Sequence, residues 1–201
     1  MKTIIASLLL AVSASAFAAP VNLIQNGSFE KNSVSNNSWA VLPSLDNWTL
    51  GSQGMEVRNN VAGSAQEGRN FLELDTYQNS WLSQDVATVA GGKYDLSFFY
   101  AARPGTGANT NGIDVFWNGS LLKHVALDNY TGNNQWLKFD LSMLATGGVS
   151  KLEFRAVGNS DGYGGSLDNV SLVSVVPEPG TLAIFGLGLG MLGFSLRRRA
   201  K

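Results

Sequence analysis

The chain has 201 residues, no cysteine and a single histidine, with 14 Lys and Arg against 15 Asp and Glu. Without cysteine it has no disulfide framework, no thiol nucleophile and no zinc-cysteine site. Five of the basic residues, Lys2, Arg197, Arg198, Arg199 and Lys201, sit at the two ends, so the body between them is acidic, near −6, which argues against nucleic acid and anionic membrane surfaces as partners.

The first twenty residues read as an export signal. Lys2 precedes an apolar run over residues 4–12, and Ala16-Phe17-Ala18 fits the A-x-A cleavage pattern. Cleavage is expected between Ala18 and Ala19, which makes residues 1–18 a signal peptide and residues 19–176 one domain. That length is enough for a substantial core.

From there the chain reads as β throughout, with Gly, Asn, Asp and Ser between short runs. In chain order the expected strands are "NLIQNGSFE", "NWTL", "GMEVRN", "NFLELD", "WLSQDVA", "YDLSFFYAAR", "GIDVFWNGSLLKHVAL", "WLKFDLSML", "VSKLEFRAVG" and "GSLDNVSLVSV". Alternation is cleanest in the ninth, where Leu152, Phe154 and Ala156 share one face and Lys151, Glu153 and Arg155 the other. In the eighth, Leu137, Phe139 and Leu141 oppose Lys138, Asp140 and Ser142. Asn118-Gly119 predicts a tight hairpin, because a type I′ turn needs positive φ at both central residues. Glu73 and Asp75, alternating with Leu72 and Leu74, are expected on a solvated strand face. About ten short strands with no amphipathic helix predict an all-β, antiparallel two-sheet sandwich.

The C-terminus carries Val176-Pro177-Glu178-Pro179, an apolar stretch over residues 181–196, and an Arg-rich end. As helix the sixteen apolar positions span about 24 Å, short of a hydrocarbon core of roughly 30 Å. The positive-inside rule keeps the basic cluster cytoplasmic and the body outside. The two prolines hold Val176 and Glu178 extended, open to a processing enzyme. These residues resemble a PEP-CTERM sorting tail, also known as an ice-binding-protein C-terminal domain. The resemblance implies processing by exosortase, a transient inner-membrane intermediate tethered through this helix, and final placement at the surface or in the extracellular matrix of a Gram-negative, exopolysaccharide-producing bacterium. A permanent single-pass anchor is the alternative.

"NLIQNGSFE" and "GGSLDNVSLVSV" resemble the first and last strands of the galactose-binding-like jelly roll found in carbohydrate-binding modules and DUF642 proteins, with "NFLELD", "GGKYDLSFFYAARPG" and "DVFWNGSLL" in that family's order. The resemblance implies a structural calcium ion held by the Asn26 carbonyl, Glu30 and Asp168; calcium takes six to eight oxygen ligands. A surface charge at Glu30 and a turn cap at Asp168 would account equally for those residues. It also implies glycan binding on aromatic platforms with polar partners, for which Trp39, Trp48, Tyr77, Trp81, Tyr130 and Tyr163, with Arg103 and Asp161, are candidates near loops. Trp117 and Trp136, within strand pattern, are weaker ones.

Catalysis finds no support in pattern. His124 shares a strand face with Leu122 and Ala126 and reads as structural, no G-x-S-x-G is present, and no carboxylate pair stands out. The expected function is a non-enzymatic exopolysaccharide-binding module. The alternatives are a cell-surface structural or adhesion protein that binds proteins or itself, and a glycan-acting hydrolase.

Overall fold

The computed structural model describes residues 21–175. The signal peptide with its Ala18/Ala19 cleavage site, the Val176 to Pro179 motif and the 181–196 helix lie outside the described residues.

Eleven strands form two antiparallel sheets. The strands are β1 (Ser38–Leu42), β2 (Thr49–Leu50), β3 (Met55–Asn59), β4 (Phe71–Glu73), β5 (Trp81–Ala87), β6 (Lys93–Ala101), β7 (Gly112–Trp117), β8 (Ser120–Ala126), β9 (Leu137–Leu144), β10 (Val149–Val157) and β11 (Ser166–Ser174). One sheet runs β1-β3-β4-β11-β6-β9 and the other β2-β5-β10-β7-β8. The described residues contain no helix, so the all-β jelly-roll sandwich expected from the alternating pattern is what the chain forms.

Period-two alternation decides which side chains enter the core. Along β10, Leu152, Phe154 and Ala156 are buried while Lys151 and Arg155 face solvent. From the facing sheet, Val57, Leu72, Leu96, Phe98, Leu167 and Leu172 complete one apolar layer with Leu82, Ile113 and Val115. Phe98 packs edge-on against Phe154 at 5.3 Å and stacks on Phe139 at 5.2 Å. Strand β9 is an edge, so Phe139 and Leu141 are only half-buried and Leu137 is exposed.

The β7–β8 hairpin turns at Asn118 (φ 51°) and Gly119 (φ 80°), the geometry that the dipeptide encodes. The opening segment differs from expectation. "NLIQNGSFE" is not a ladder strand but meets β11 through one bridge, Asn22 with Val173, and then turns at Asn26 (φ 54°) and Phe29 (φ 60°). Its Gly27 is pressed against β11: the Val170 amide donates to its carbonyl at 2.9 Å, and a Cβ on Gly27 would fall 2.0 Å from the Val170 oxygen. The contact coincides with the bulge in β11, whose pairing with β6 shifts register between Asp168 and Ser171.

Glu73 and Asp75 do not face water. Strand β4 lies inside its sheet, between β3 and β11, and both carboxylates are fully buried beneath loops. Alternation reports two faces of a strand; it does not report what covers the second face.

Candidate functional site

Strands β1, β3 and β4 place Trp39, Arg58, Glu56 and Glu73 on the face of their sheet opposite the core. The registers pair Trp39 with Arg58 and Glu56 with Glu73. Two carboxylates directly opposite one another would repel, and arginine relieves this. Arg58 Nε donates to Glu56 at 2.5 Å and its other arm pairs with Glu73. Arg103 arrives from the loop after β6 and donates to both Glu73 oxygens at 3.1 and 2.8 Å, and the Gly164 amide donates to Glu73 at 2.7 Å. Burial pushes the Glu73 carboxyl up to about 8, against the pull of Arg58 and Arg103.

The loop before β11 closes the site from above. Asp75, also raised by burial, accepts the amides of Asp161 (2.9 Å) and Gly162 (3.1 Å). Asp161 in turn accepts the Tyr163 amide at 3.2 Å and the Thr110 hydroxyl at 3.1 Å. Buried carboxylates thus pin the "NSDGYGG" loop at two points. The Arg103 guanidinium lies 4.4 Å from the centre of the Tyr163 ring, within cation–π range.

What results is a cleft of about 300 Å³ bordered by Trp39, Tyr77, Tyr163, Arg103 and Asp161, with Glu56 and Arg58 in its floor. Trp39, Tyr77 and Tyr163 are 50%, 72% and 49% exposed, high for residues whose rings usually seek burial. Arg58 is almost wholly buried, yet its Nη1 has no hydrogen-bond partner among the described residues. That nitrogen is closed off from solvent, and a buried polar group without a partner is costly. A larger cavity of about 740 Å³ near Glu30, Ser33, Asn36 and Asn60 has no aromatic wall.

Five of the eight expected ligand-binding residues therefore meet in one cleft: Trp39, Tyr77, Arg103, Asp161 and Tyr163. Trp48 is corrected to a core residue. It is buried, donates from Nε1 to the Asn26 carbonyl at 3.0 Å and packs between Phe29 and Phe154. Trp81, half-buried, stands against Gly51, and exposed Tyr130 lies over the Gly107 turn; neither lines the cleft. Trp117 and Trp136 are committed elsewhere, Trp117 donating to the Leu144 carbonyl and Trp136 to that of Ser64. Glu56 and Arg58 were not among the expected site residues. Their signal is the opposite-charge pair two apart on one face of "MEVRN", which gains meaning only beside Glu73.

Glu30 and Asp168 converge on residues 66–70 from two sides. Glu30 Oε1 accepts the Arg69 and Asn70 amides at 2.8 and 2.7 Å, and Asp168 Oδ2 accepts those of Gln66 and Glu67 at 2.8 and 3.0 Å. Asn26 lines a cavity of about 330 Å³ with Glu30 and Glu67, whereas Asp168 is buried behind it. The donors are oxygens, the kind calcium takes, but the carboxylates already receive backbone amides, and no three acidic or histidine side chains among the described residues are grouped so as to hold a metal ion. His124 is exposed on β8, the edge strand of the other sheet, pairs with Asp114 at 2.6 Å and does not line the cleft.

Comparison with known proteins follows the geometry. The family model described as a protein of unknown function, DUF642, matches residues 22–173, and that of the PEP-CTERM protein-sorting motif matches residues 175–199. A multifunctional-autoprocessing repeats-in-toxin of Vibrio cholerae serotype O1 is 35% identical over 155 residues, 76% of this chain. The chain spans only 3% of that protein's length. Among solved structures, a cyclase from Fischerella sp. TAU superposes with a TM-score of 0.58 at 18% identity, covering 80% of this chain and 100% of that one. A family 16 carbohydrate-binding module superposes with a TM-score of 0.52 at 17% identity, covering 76% and 99%. At these identities the likeness shows the fold.

Proposed function

The chain belongs to the DUF642 family and ends in a PEP-CTERM sorting motif, and from that premise we propose that it is an exported, non-catalytic module that binds a glycan in the Trp39–Tyr77–Tyr163 cleft. One observation carries the reading: three exposed aromatic rings surround a small cleft whose floor and rim hold Arg58, Arg103 and Asp161. Sugar C–H faces stack on such rings, and charged side chains pair with the hydroxyls. Asp161 accepts and the partly exposed Arg103 guanidinium donates, so a sugar edge meets both kinds of partner. The sorting tail supports a tethered intermediate at the outer face of the inner membrane, processing by exosortase, and release to the surface or matrix, where an exopolysaccharide is the available glycan.

The test is retention of the purified protein on a panel of polysaccharides that includes the producer's own matrix. Retention lost on Trp39→Ala and Tyr163→Ala supports the reading. Retention by no glycan overturns it and leaves a surface protein that binds proteins or itself.

A hydrolase has one observation in its favour, since Glu56 and Asp161 border the same cleft. Glu56 is tied to Arg58 and Asp161 to the Tyr163 amide and Thr110, so neither stands free as acid or base. Release of reducing sugar during the retention assay would restore that alternative.

A calcium ion held by Glu30, Asp168 and the Asn26 carbonyl would be structural. It would tie the opening segment to β11 and to the 66–70 loop, on the far side of β4 from the cleft.

A further inference from the structure

The exposed apolar side chains are sorted between the two ends of the sandwich. Trp39, Tyr77, Tyr130 and Tyr163 belong to the cleft end, together with Leu137 at the start of β9. Val21, Val89, Leu121, Leu144 and Val149 all belong to the opposite end. The registers place them there: Val149 opposes Ala87 at the end of β5, Leu144 opposes Lys93 at the start of β6, and Leu121 follows the Asn118-Gly119 turn. The loop carrying Val89 is bonded to the loop before Val149, with the Gly91 amide donating to the Ala145 carbonyl at 2.7 Å and Thr88 to the Gly147 carbonyl at 2.8 Å. Between the β7–β8 hairpin and the end of β9 opens a cleft of about 590 Å³ walled by Trp117, Leu122, Met143 and Leu144, with Lys93 at its edge.

Both ends of the described chain emerge at this same place. Asn22 bridges Val173, and the Val175 amide donates to the Lys93 carbonyl at 2.9 Å. Residues 176–180 can extend at most about 17 Å before the apolar stretch at 181–196 begins. Residues 88–93, 117–122 and 144–151 contain no carboxylate and carry Lys93 and Lys151. The nearest acids in register are Asp85, opposite Lys151, and Asp95, opposite Ser142. The acidic balance of the body, which argued against an anionic membrane, therefore comes from residues elsewhere, among them Glu56, Glu73, Asp75 and Asp161 around the aromatic cleft.

We propose that this aliphatic end is a membrane-seating surface, which rests on the lipid headgroup region while the tail is inserted and holds the aromatic cleft pointing away from the bilayer. Five scattered aliphatic side chains are too few to insert the domain, but beside a tethered helix they need only outcompete rotation about a short linker. Burying apolar area in the interface while lysine ammonium groups meet lipid phosphates is the established physics of peripheral contact.

The absence of cysteine from the chain makes the test direct. The full chain, with single Val89→Cys, Val149→Cys, Tyr77→Cys or Tyr130→Cys substitutions at exposed positions, is labelled with an environment-sensitive fluorophore and reconstituted in phosphatidylethanolamine–phosphatidylglycerol vesicles. The expected result is loss of quenching by aqueous iodide and gain of quenching by lipid-borne spin labels at positions 89 and 149, with positions 77 and 130 unchanged from detergent. Adding Leu144→Glu should return position 149 to aqueous quenching without altering the melting temperature. Equal aqueous quenching at all four positions overturns the proposal. So does shielding at 89 and 149 without lipid quenching, which would mean that a second copy or the tail itself covers this end. A chain that fails to float with the vesicles overturns it together with the tether, whereas glycan retention can fail with this result intact.

Discussion

Arg103 and Tyr163 form a cation–π pair at 4.4 Å, and the same guanidinium grips buried Glu73 through both carboxylate oxygens. An exposed aromatic wall of the cleft is thereby wired to a buried carboxyl, so the ring's position depends on a group that does not itself line the cleft.

The two roles of Arg103 can be separated. Lysine keeps a charge for Glu73 but has no flat face to stack on Tyr163. Arg103→Lys is expected to weaken glycan retention severalfold with little change in stability. Arg103→Ala also leaves Glu73 short of a partner and should cost about 2 kcal/mol in urea unfolding. Equal stability of the two variants would refute the coupling.

Glu73 makes stability depend on pH. Its carboxyl is raised from 4.5 to about 8 by burial, so between those values the folded state holds a proton that the unfolded chain has released. Stability from this group is then complete below about pH 4.5 and is lost as pH rises through about 8. The melting temperature should fall across that window, and Glu73→Gln should flatten the fall. A profile identical in both proteins would show that Glu73 is already ionised in the fold.

Trp39 and Trp48 answer the same substitution differently. Trp48→Ala empties a site between Phe29 and Phe154 and should cost about 3–5 kcal/mol. Trp39→Ala at the open cleft should stay within about 0.5 kcal/mol while abolishing retention. Thermal melts beside affinity electrophoresis read both.

Calcium, if held at Glu30 and Asp168, binds the folded chain and not the unfolded one, so it must raise the melting temperature, and a chelator must lower it. Glu30→Gln should remove the response. Melts that coincide with calcium and with chelator would leave these carboxylates as clamps on the 66–70 loop alone.

Strand pattern made the sandwich legible: Leu152, Phe154 and Ala156 entered the core as alternation required, and Asn118-Gly119 turned as its residue types demand. The aromatic candidates were legible only as a set. Trp39 and Trp48 look alike in sequence, each preceded by two polar residues and followed at the second position by an aliphatic one, and what divides them is that β1 presents Trp39 outward while the Asn26 carbonyl and two Phe rings enclose Trp48.

Local chemistry and periodicity by themselves predicted an export signal at one end and determined the all-β class and the residue types available for a site, while resemblance to a known motif identified the sorting tail at the other. Tertiary structure alone decided that Glu56, Arg58 and Glu73 meet beneath Tyr163, that Asp75 is buried, and that the aliphatic residues gather where the tail departs. Those outcomes depend on strand order and register, which bring together residues as far apart as 58 and 161. Alternation along one strand carries no information about which strand lies beside it, or which loop comes to rest on its outer face.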